Sequence, residues 1–128
     1  MEGIKYRELT QQIISAAITV HRELGPGFLE SIYEESLSIE LGYRGIQYER
    51  QKEVNILYKG QSVGEYRLDL LVAGIVVVEL KAIKRLEDIH FAIVRLYMKS
   101  LNIETGLIFN FASMPLTIKR VGRERIPR

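Results

Sequence analysis

The run Tyr66-Arg67-Leu68-Asp69-Leu70-Leu71-Val72, the pair Ala73-Gly74 and the run Ile75-Val76-Val77-Val78-Glu79-Leu80-Lys81 decide the fold. Two apolar runs rich in Val, Ile and Leu on either side of a two-residue turn predict a β-hairpin. The second run is the more apolar, as expected of a central strand covered on both faces. Side chains alternate along a strand, so Glu79 and Lys81 leave the same face, about 6.6 Å apart. An ionised Asp or Glu is rarely buried without a partner. Asp69, Glu79 and Lys81 beside an apolar sheet centre therefore need a reason. A bound divalent cation would supply one, and a partly buried ion pair at a strand end is the plainer alternative.

Outward from this hairpin, the preceding strand spans residues 47 to 58. Tyr48, Val54, Ile56 and Tyr58 are expected toward one side, together with Arg50 and Lys52, which makes it an edge strand. Lys59-Gly60-Gln61 is a turn signal. In the strand carrying Asp69, the residues Tyr66, Leu68, Leu70 and Val72 are expected on one face and Glu65, Arg67 and Asp69 on the other. That second face turns polar near the turn, like a sheet opening into a cleft.

Two helices are predicted before the strands. In residues 5 to 24, Leu9, Ile13, Ala16, Ala17, Val20 and Leu24 form one apolar stripe. Ile14 and Ile18 fall on the opposite side, where a neighbouring element or the second copy of a homodimer would cover them. Gly25-Pro26-Gly27 ends this helix. The next is expected from 28 to 41 with Gly42 as its stop. Glu30 lies in its first turn, where the helix dipole favours a carboxylate, and it shares a stripe with Tyr33 and Leu37. Glu34, Glu35 and Glu40 read as solvent charges. After the hairpin, a third helix runs from the polar stretch at residues 84 to 88 to Leu101. Leu86, Ile89, Ile93, Leu96 and Tyr97 are expected on its apolar face, with His90 beside them. Two short strands, 105 to 111 and 116 to 121, close the chain. The order ααβββαββ means an α/β domain with a mixed sheet, in which the helix before residue 105 makes a parallel crossover.

Composition sets the limits. The 128 residues are 47% hydrophobic and 27% charged, a balance that argues for one ordinary globular domain over the whole chain. No apolar run is long enough to suggest a membrane span. The first residues lack the apolar core of a signal peptide, and the chain has no cysteine, so a reducing cytoplasm is the expected location. Thiolate metal sites are excluded, and two histidines that stand far apart in sequence suggest no imidazole site. Net charge is +2, but Lys119, Arg120, Arg123, Arg125 and Arg128 against Glu124 leave +4 in the last ten residues. Such a tail is read first as a solvated terminus and second as a phosphate-contacting arm.

Four segments carry a resemblance. Gly27-Phe28-Leu29-Glu30-Ser31-Ile32-Tyr33 spells G-x-x-E-x-x-Y. The Asp69 strand, Val78-Glu79-Leu80-Lys81-Ala82 and Ile108-Phe109-Asn110-Phe111 follow in order. Together they resemble the GxxExxY protein family of the PD-(D/E)XK nuclease superfamily, from about Thr10 to Val121. A lone E-x-K occurs by chance in most proteins, whereas four ordered segments in matching context do not.

The resemblance implies a restriction-endonuclease-like core, a mixed central sheet flanked by helices. It implies a nuclease acting on DNA or RNA, with Glu30, Asp69, Glu79 and Lys81 as the catalytic set and Gly27, Tyr33 and Tyr97 as supporting motif positions. Asp69, Glu79 and the backbone carbonyl of Leu80 would hold Mg²⁺ or Mn²⁺, ions that prefer hard oxygen ligands. The sequence departs from the family at two positions. Leu68 stands where the superfamily's proline would precede the acid, and Ile93 stands where related sequences often carry glutamine, four residues before Tyr97. The alternative is a relative that binds nucleic acid or a protein partner with weak or no turnover. A junction-resolving nuclease would further require a two-fold dimer.

Overall fold

Two left-handed turns fold the middle of the chain into a meander. Lys59 and Gly60 have φ of 50° and 80°, and Ala73 and Gly74 have 52° and 71°. Positive φ at both central residues matches the right-handed twist of antiparallel strands. The structure, a computed structural model, describes residues 2–123. Its elements are α1 (Glu2–Leu24), α2 (Glu30–Tyr43), β1 (Tyr48–Tyr58), β2 (Gln61–Val72), β3 (Val76–Lys81), α3 (Asp88–Leu101), β4 (Thr105–Asn110) and β5 (Thr117–Gly122).

The five strands lie in sequence order in one sheet. Only β3 and β4 run parallel, joined through α3, and the other neighbours are antiparallel. This is the mixed α/β sheet expected from the sequence. Helices α1 and α2 pack on one face, where Ile13, Ala16, Ala17, Val20, Tyr33, Leu37 and Leu41 meet Leu70, Val72, Val76, Val78, Leu80 and Phe109. Helix α3 covers the other face, over Leu68, Leu71, Val77, Ile108 and Val121. Val76, Val77 and Val78 are fully buried, as a strand covered on both sides must be. No helix among the described residues is long and apolar enough to cross a membrane.

The α1 stripe is placed as expected, and Ile14 also packs against its core. The other two helices differ in phase. Helix α2 runs through Gly42 to Tyr43, and the chain breaks at Gly45, whose φ of 70° lets it leave the helix. Its buried stripe is Tyr33, Glu34, Leu37, Ser38 and Leu41, with Glu30 exposed beside it. In α3 the inward residues are Val94, Tyr97 and Met98, while Ile89 is 57% exposed. Apolar residues surround much of this helix, so periodicity alone does not set its phase.

Close packing of α3 is set by Gly106. A Cβ there would meet Val94 Cγ1 at 2.8 Å and Met98 Sδ at 2.9 Å. Gly106→Ala is expected to destabilise the protein by about 1–3 kcal/mol through overpacking, measured by urea unfolding; an unchanged midpoint would contradict this packing.

The long β1–β2 ribbon changes face halfway along. Arg50 reaches toward α2 and Tyr48 packs on the same side, yet Val54, also at an even position, packs beneath α3. Opposite, Leu70 and Val72 face α1 and α2, whereas Leu68 faces α3 and Tyr66 meets Tyr97 edge-on. The single apolar face expected for each strand is therefore wrong. Both strands switch at one point, between Arg50↔Leu70 and Lys52↔Leu68, which brackets Gln51 and Asp69. Two-stranded ribbons freed from a sheet twist more strongly than the sheet itself.

Candidate active site

The switch occurs where β2 leaves β3. Their ladder consists of Leu70↔Val78, Leu71↔Val77 and Val72↔Val76, and stops one step short of Asp69 and Glu79. Beyond it the two side chains replace the missing backbone partners. The Asp69 N–H donates to Glu79 Oε1 at 2.9 Å, and the Leu80 N–H donates to Asp69 Oδ2 at 2.9 Å. Each acid thus caps the other's strand at a fork in the sheet. A strand residue sends its N–H and C=O to the same edge, so the Leu80 carbonyl faces this fork as well. The other oxygens, Asp69 Oδ1 and Glu79 Oε2, are not held by these bonds.

Glu79 is only 5% exposed and Asp69 is half-buried. Burial pushes the Glu79 pKa up to about 8, and the neighbouring charge of Asp69 adds to the rise. Burial likewise pushes Asp69 up to about 6, with the Leu80 amide opposing and Glu34 reinforcing it. The half-buried Lys81 ammonium favours the charged form of both acids, while Glu30 disfavours it. Charging both acids here is costly unless a cation balances them, which is the electrostatic condition for holding one.

Helix α2 brings Glu30 to this fork. Gly27 has φ of 109°, which L side chains rarely adopt, and the chain turns there into the helix. Tyr33, fully buried, pins that turn. Its hydroxyl donates to the Gly25 carbonyl at 2.6 Å and accepts from the Phe28 N–H at 3.2 Å, while its ring stacks on Phe111 at 4.3 Å. The glutamate between them then meets the end of β3, where the Ala82 N–H donates to Glu30 Oε2 at 3.3 Å. Glycine, glutamate and tyrosine thus have separate tasks: a left-handed turn, a presented acid and a fastener. Tyr33→Phe is expected to cost about 1–3 kcal/mol, because the Gly25 carbonyl loses its donor. Thermal unfolding measures this, and an unaltered Tm would mean that the hydroxyl fastens nothing.

Tyr97 also supports rather than forms the site. Its hydroxyl donates to the Arg67 carbonyl at 3.0 Å, tying α3 to β2 just outside the fork. Burial raises its pKa, with the charges of Glu79 and Asp69 adding to the effect, so it stays a donor. Ile93 is half-buried with the cluster beneath α3 and presents no polar group. Neither histidine belongs to the site. His90 Nδ1 accepts the Glu87 N–H at 2.8 Å in a helix cap, and His21 is buried against Phe111.

Glu34 was expected in solvent and is only 7% exposed. Its Oε2 accepts from Arg50 Nε at 3.1 Å and Nη2 at 3.0 Å. Its Oε1 accepts from Gln51 Nε2 at 2.7 Å, and the same amide lies 3.4 Å from Asp69 Oδ1. The spacing of Glu34, Leu37, Ser38 and Leu41 along one helix face was the signal that places it inward. Gln51 carried no comparable signal.

Among the described residues, no group of three or more His, Asp or Glu side chains stands ready to hold a metal ion. The donor chemistry at the fork nevertheless fits Mg²⁺, which keeps several waters and takes one or two carboxylates from a protein. Asp69, Glu79 and the Leu80 carbonyl are hard oxygen donors of that kind.

A family model described as the PD-(D/E)XK nuclease superfamily matches residues 7–121. The chain belongs to the PD-(D/E)XK nuclease superfamily. Members of this superfamily generally use divalent metals and act on nucleic acids. The crystal structure of SSO0001 is similar to this chain, with 15% identity and a TM-score of 0.56. That match covers 96% of this chain and 62% of the other, so the superfamily member described here spans about three fifths of its neighbour's length. The likeness is one of fold. No curated protein matches the sequence.

Proposed function

We propose that the chain is a Mg²⁺- or Mn²⁺-dependent nuclease that hydrolyses phosphodiester bonds of DNA or RNA. The observation that carries this reading is the reciprocal capping of Asp69 and Glu79 at the sheet fork, two half-satisfied acids facing one lysine. Asp69, Glu79 and the Leu80 carbonyl would hold the ion. A divalent cation bound there supplies a more acidic water and relieves charge on the phosphate. Lys81, on the Glu79 face, orients the attacking water and stabilises the charge that develops on the phosphate oxygens. Glu30 would hold a water or a second ion on the helix side of the fork. Gly27, Glu30 and Tyr33 support a finer placement in the GxxExxY group. The described residues offer no dedicated base-reading element, which supports recognition by shape and backbone. A chain without cysteine suits action in the cytoplasm.

The test is cleavage of labelled single-stranded, duplex and branched DNA and RNA with Mg²⁺, Mn²⁺ or EDTA. Lys81→Met, purified identically, is expected to lose about 10²–10³-fold in rate. Cleavage that persists in EDTA, or that survives undiminished in Lys81→Met, would overturn the reading. The apolar side chain at Ile93 favours a second one, a relative that binds nucleic acid without turnover. Mn²⁺ binding by a folded protein that cleaves none of these substrates would select it.

A further inference from the structure

Gln51 has φ of 51° in the middle of β1, the left-handed region that residues other than glycine, asparagine and aspartate rarely enter. The three other described non-glycine residues with positive φ have local explanations. Lys59 and Ala73 close hairpin turns, and Asn102 ends α3. Gln51 closes nothing. It lies where the β1–β2 ribbon changes face, between the pairs Arg50↔Leu70 and Lys52↔Leu68 that bracket Asp69 on the other strand. Non-glycine residues are kept in such conformations where the surroundings over-determine them, and they cluster at functional sites.

What the unusual backbone achieves is the placement of a carboxamide. Gln51 Nε2 donates to Glu34 Oε1 at 2.7 Å and approaches Asp69 Oδ1 at 3.4 Å. Two acceptors on the same side of the amide fix its NH₂ end toward Asp69, so its orientation is decided by Glu34. Glu34 in turn is held by the Arg50 guanidinium on Oε2. With both oxygens engaged, Glu34 is not free to act as a ligand itself. Asp69 Oδ2 is tied to the Leu80 N–H, and without a second contact the carboxylate can swing about that bond.

We infer that Gln51, oriented by Glu34 and Arg50, is a positioning residue that fixes the second oxygen of Asp69 for a divalent cation. The inference rests on the nuclease reading above and adds a residue to its site. Partners of this kind around a metal ligand are worth 10–100-fold in affinity or activity.

The test uses Gln51→Gly and Gln51→Asn in the full chain. Glycine and asparagine both tolerate a left-handed backbone. The first removes the amide, and the second shortens it by one carbon. Mn²⁺ binding to the metal-free protein is measured by calorimetry, Tm by thermal unfolding, and kcat and KM on whichever substrate the wild type cleaves. The expected result is a Tm close to that of the wild type, relief of the left-handed backbone offsetting the hydrogen bond lost to Glu34, with Mn²⁺ binding weakened about 10–100-fold. kcat should fall by a similar factor and KM should change little. Loss of Mn²⁺ affinity without loss of Tm is the signature of positioning, since a merely structural residue would lower Tm. Wild-type Mn²⁺ affinity in both variants, or a lowered Tm in both, would overturn the inference while leaving the nuclease reading standing. A wild-type protein that binds no Mn²⁺ and cleaves nothing would overturn both.

Discussion

If the chain is the metal-dependent nuclease proposed, Glu79→Gln is expected to lose at least about 10³-fold in cleavage rate while the protein stays folded. The size follows because Glu79 would be a ligand to an ion supplying several kcal/mol of charge stabilisation, each 1.36 kcal/mol being about tenfold in rate. The fold survives because a glutamine Oε1 still accepts the Asp69 N–H that Glu79 accepts at 2.9 Å. Glu79→Ala should be equally inactive but less stable, having left that amide without its acceptor. Cleavage rates in Mg²⁺ and Mn²⁺, with circular dichroism as the check on folding, decide the matter. A glutamine variant that cleaves at the wild-type rate would remove Glu79 from the site.

The second large effect is on stability, and its sign depends on pH. Burial raises Glu79 to about 8 and Asp69 to about 6, whereas unfolded carboxylates titrate near pH 4. Between about pH 4 and pH 8 the folded protein therefore binds more protons than the unfolded chain. Stability then falls as pH rises through that window. The contribution is fully present below about pH 4 and gone above about pH 8. Glu79→Gln removes the charge that is costly to bury, so without metal its Tm should exceed the wild type's at pH 8. The advantage should be several degrees, one kcal/mol being about 4 °C for a chain of this size, and should shrink toward pH 5. Mg²⁺ would bind the deprotonated acids, so its expected stabilisation of the wild type grows with pH and is absent in the variant. Parallel Tm curves for the two proteins from pH 5 to 8 would show that Glu79 is not the buried acid described above.

How the acids come to be so placed was partly legible in the chain. Asp69, Glu79 and Lys81 stand out because alternation puts charge beside an apolar strand centre, and that signal is local. The fork itself is not local. It arises because β2 pairs with β3 at only three positions and then follows β1 instead. The two strands' shared change of face at Gln51 and Asp69 is a cooperative twist that no single-strand periodicity contains. The basic tail at Arg125 and Arg128 lies outside the described residues. Lys119 and Arg120 are exposed on β5, and Arg123 pairs with Glu104 at 3.1 Å.

The sequence by itself determined the eight elements and their order, the positions of the two hairpin turns, and the buried central strand with its acids. These follow from spacing of two or 3.6 residues and from glycines at turns, which act over a few residues. It also carried Gly27, Glu30 and Tyr33 as a unit, since one turn and one helix hold them. Only the tertiary structure decided the phase of α3, the burial of Glu34 and the role of Gln51. Each depends on a contact between segments distant along the chain: α3 on β4 at Gly106, α2 on β1 through Arg50, and β1 on β2 at Asp69. Packing and ion pairing between such segments outweigh local preference, so a glutamate free to face solvent turns inward and a glutamine takes a glycine's backbone.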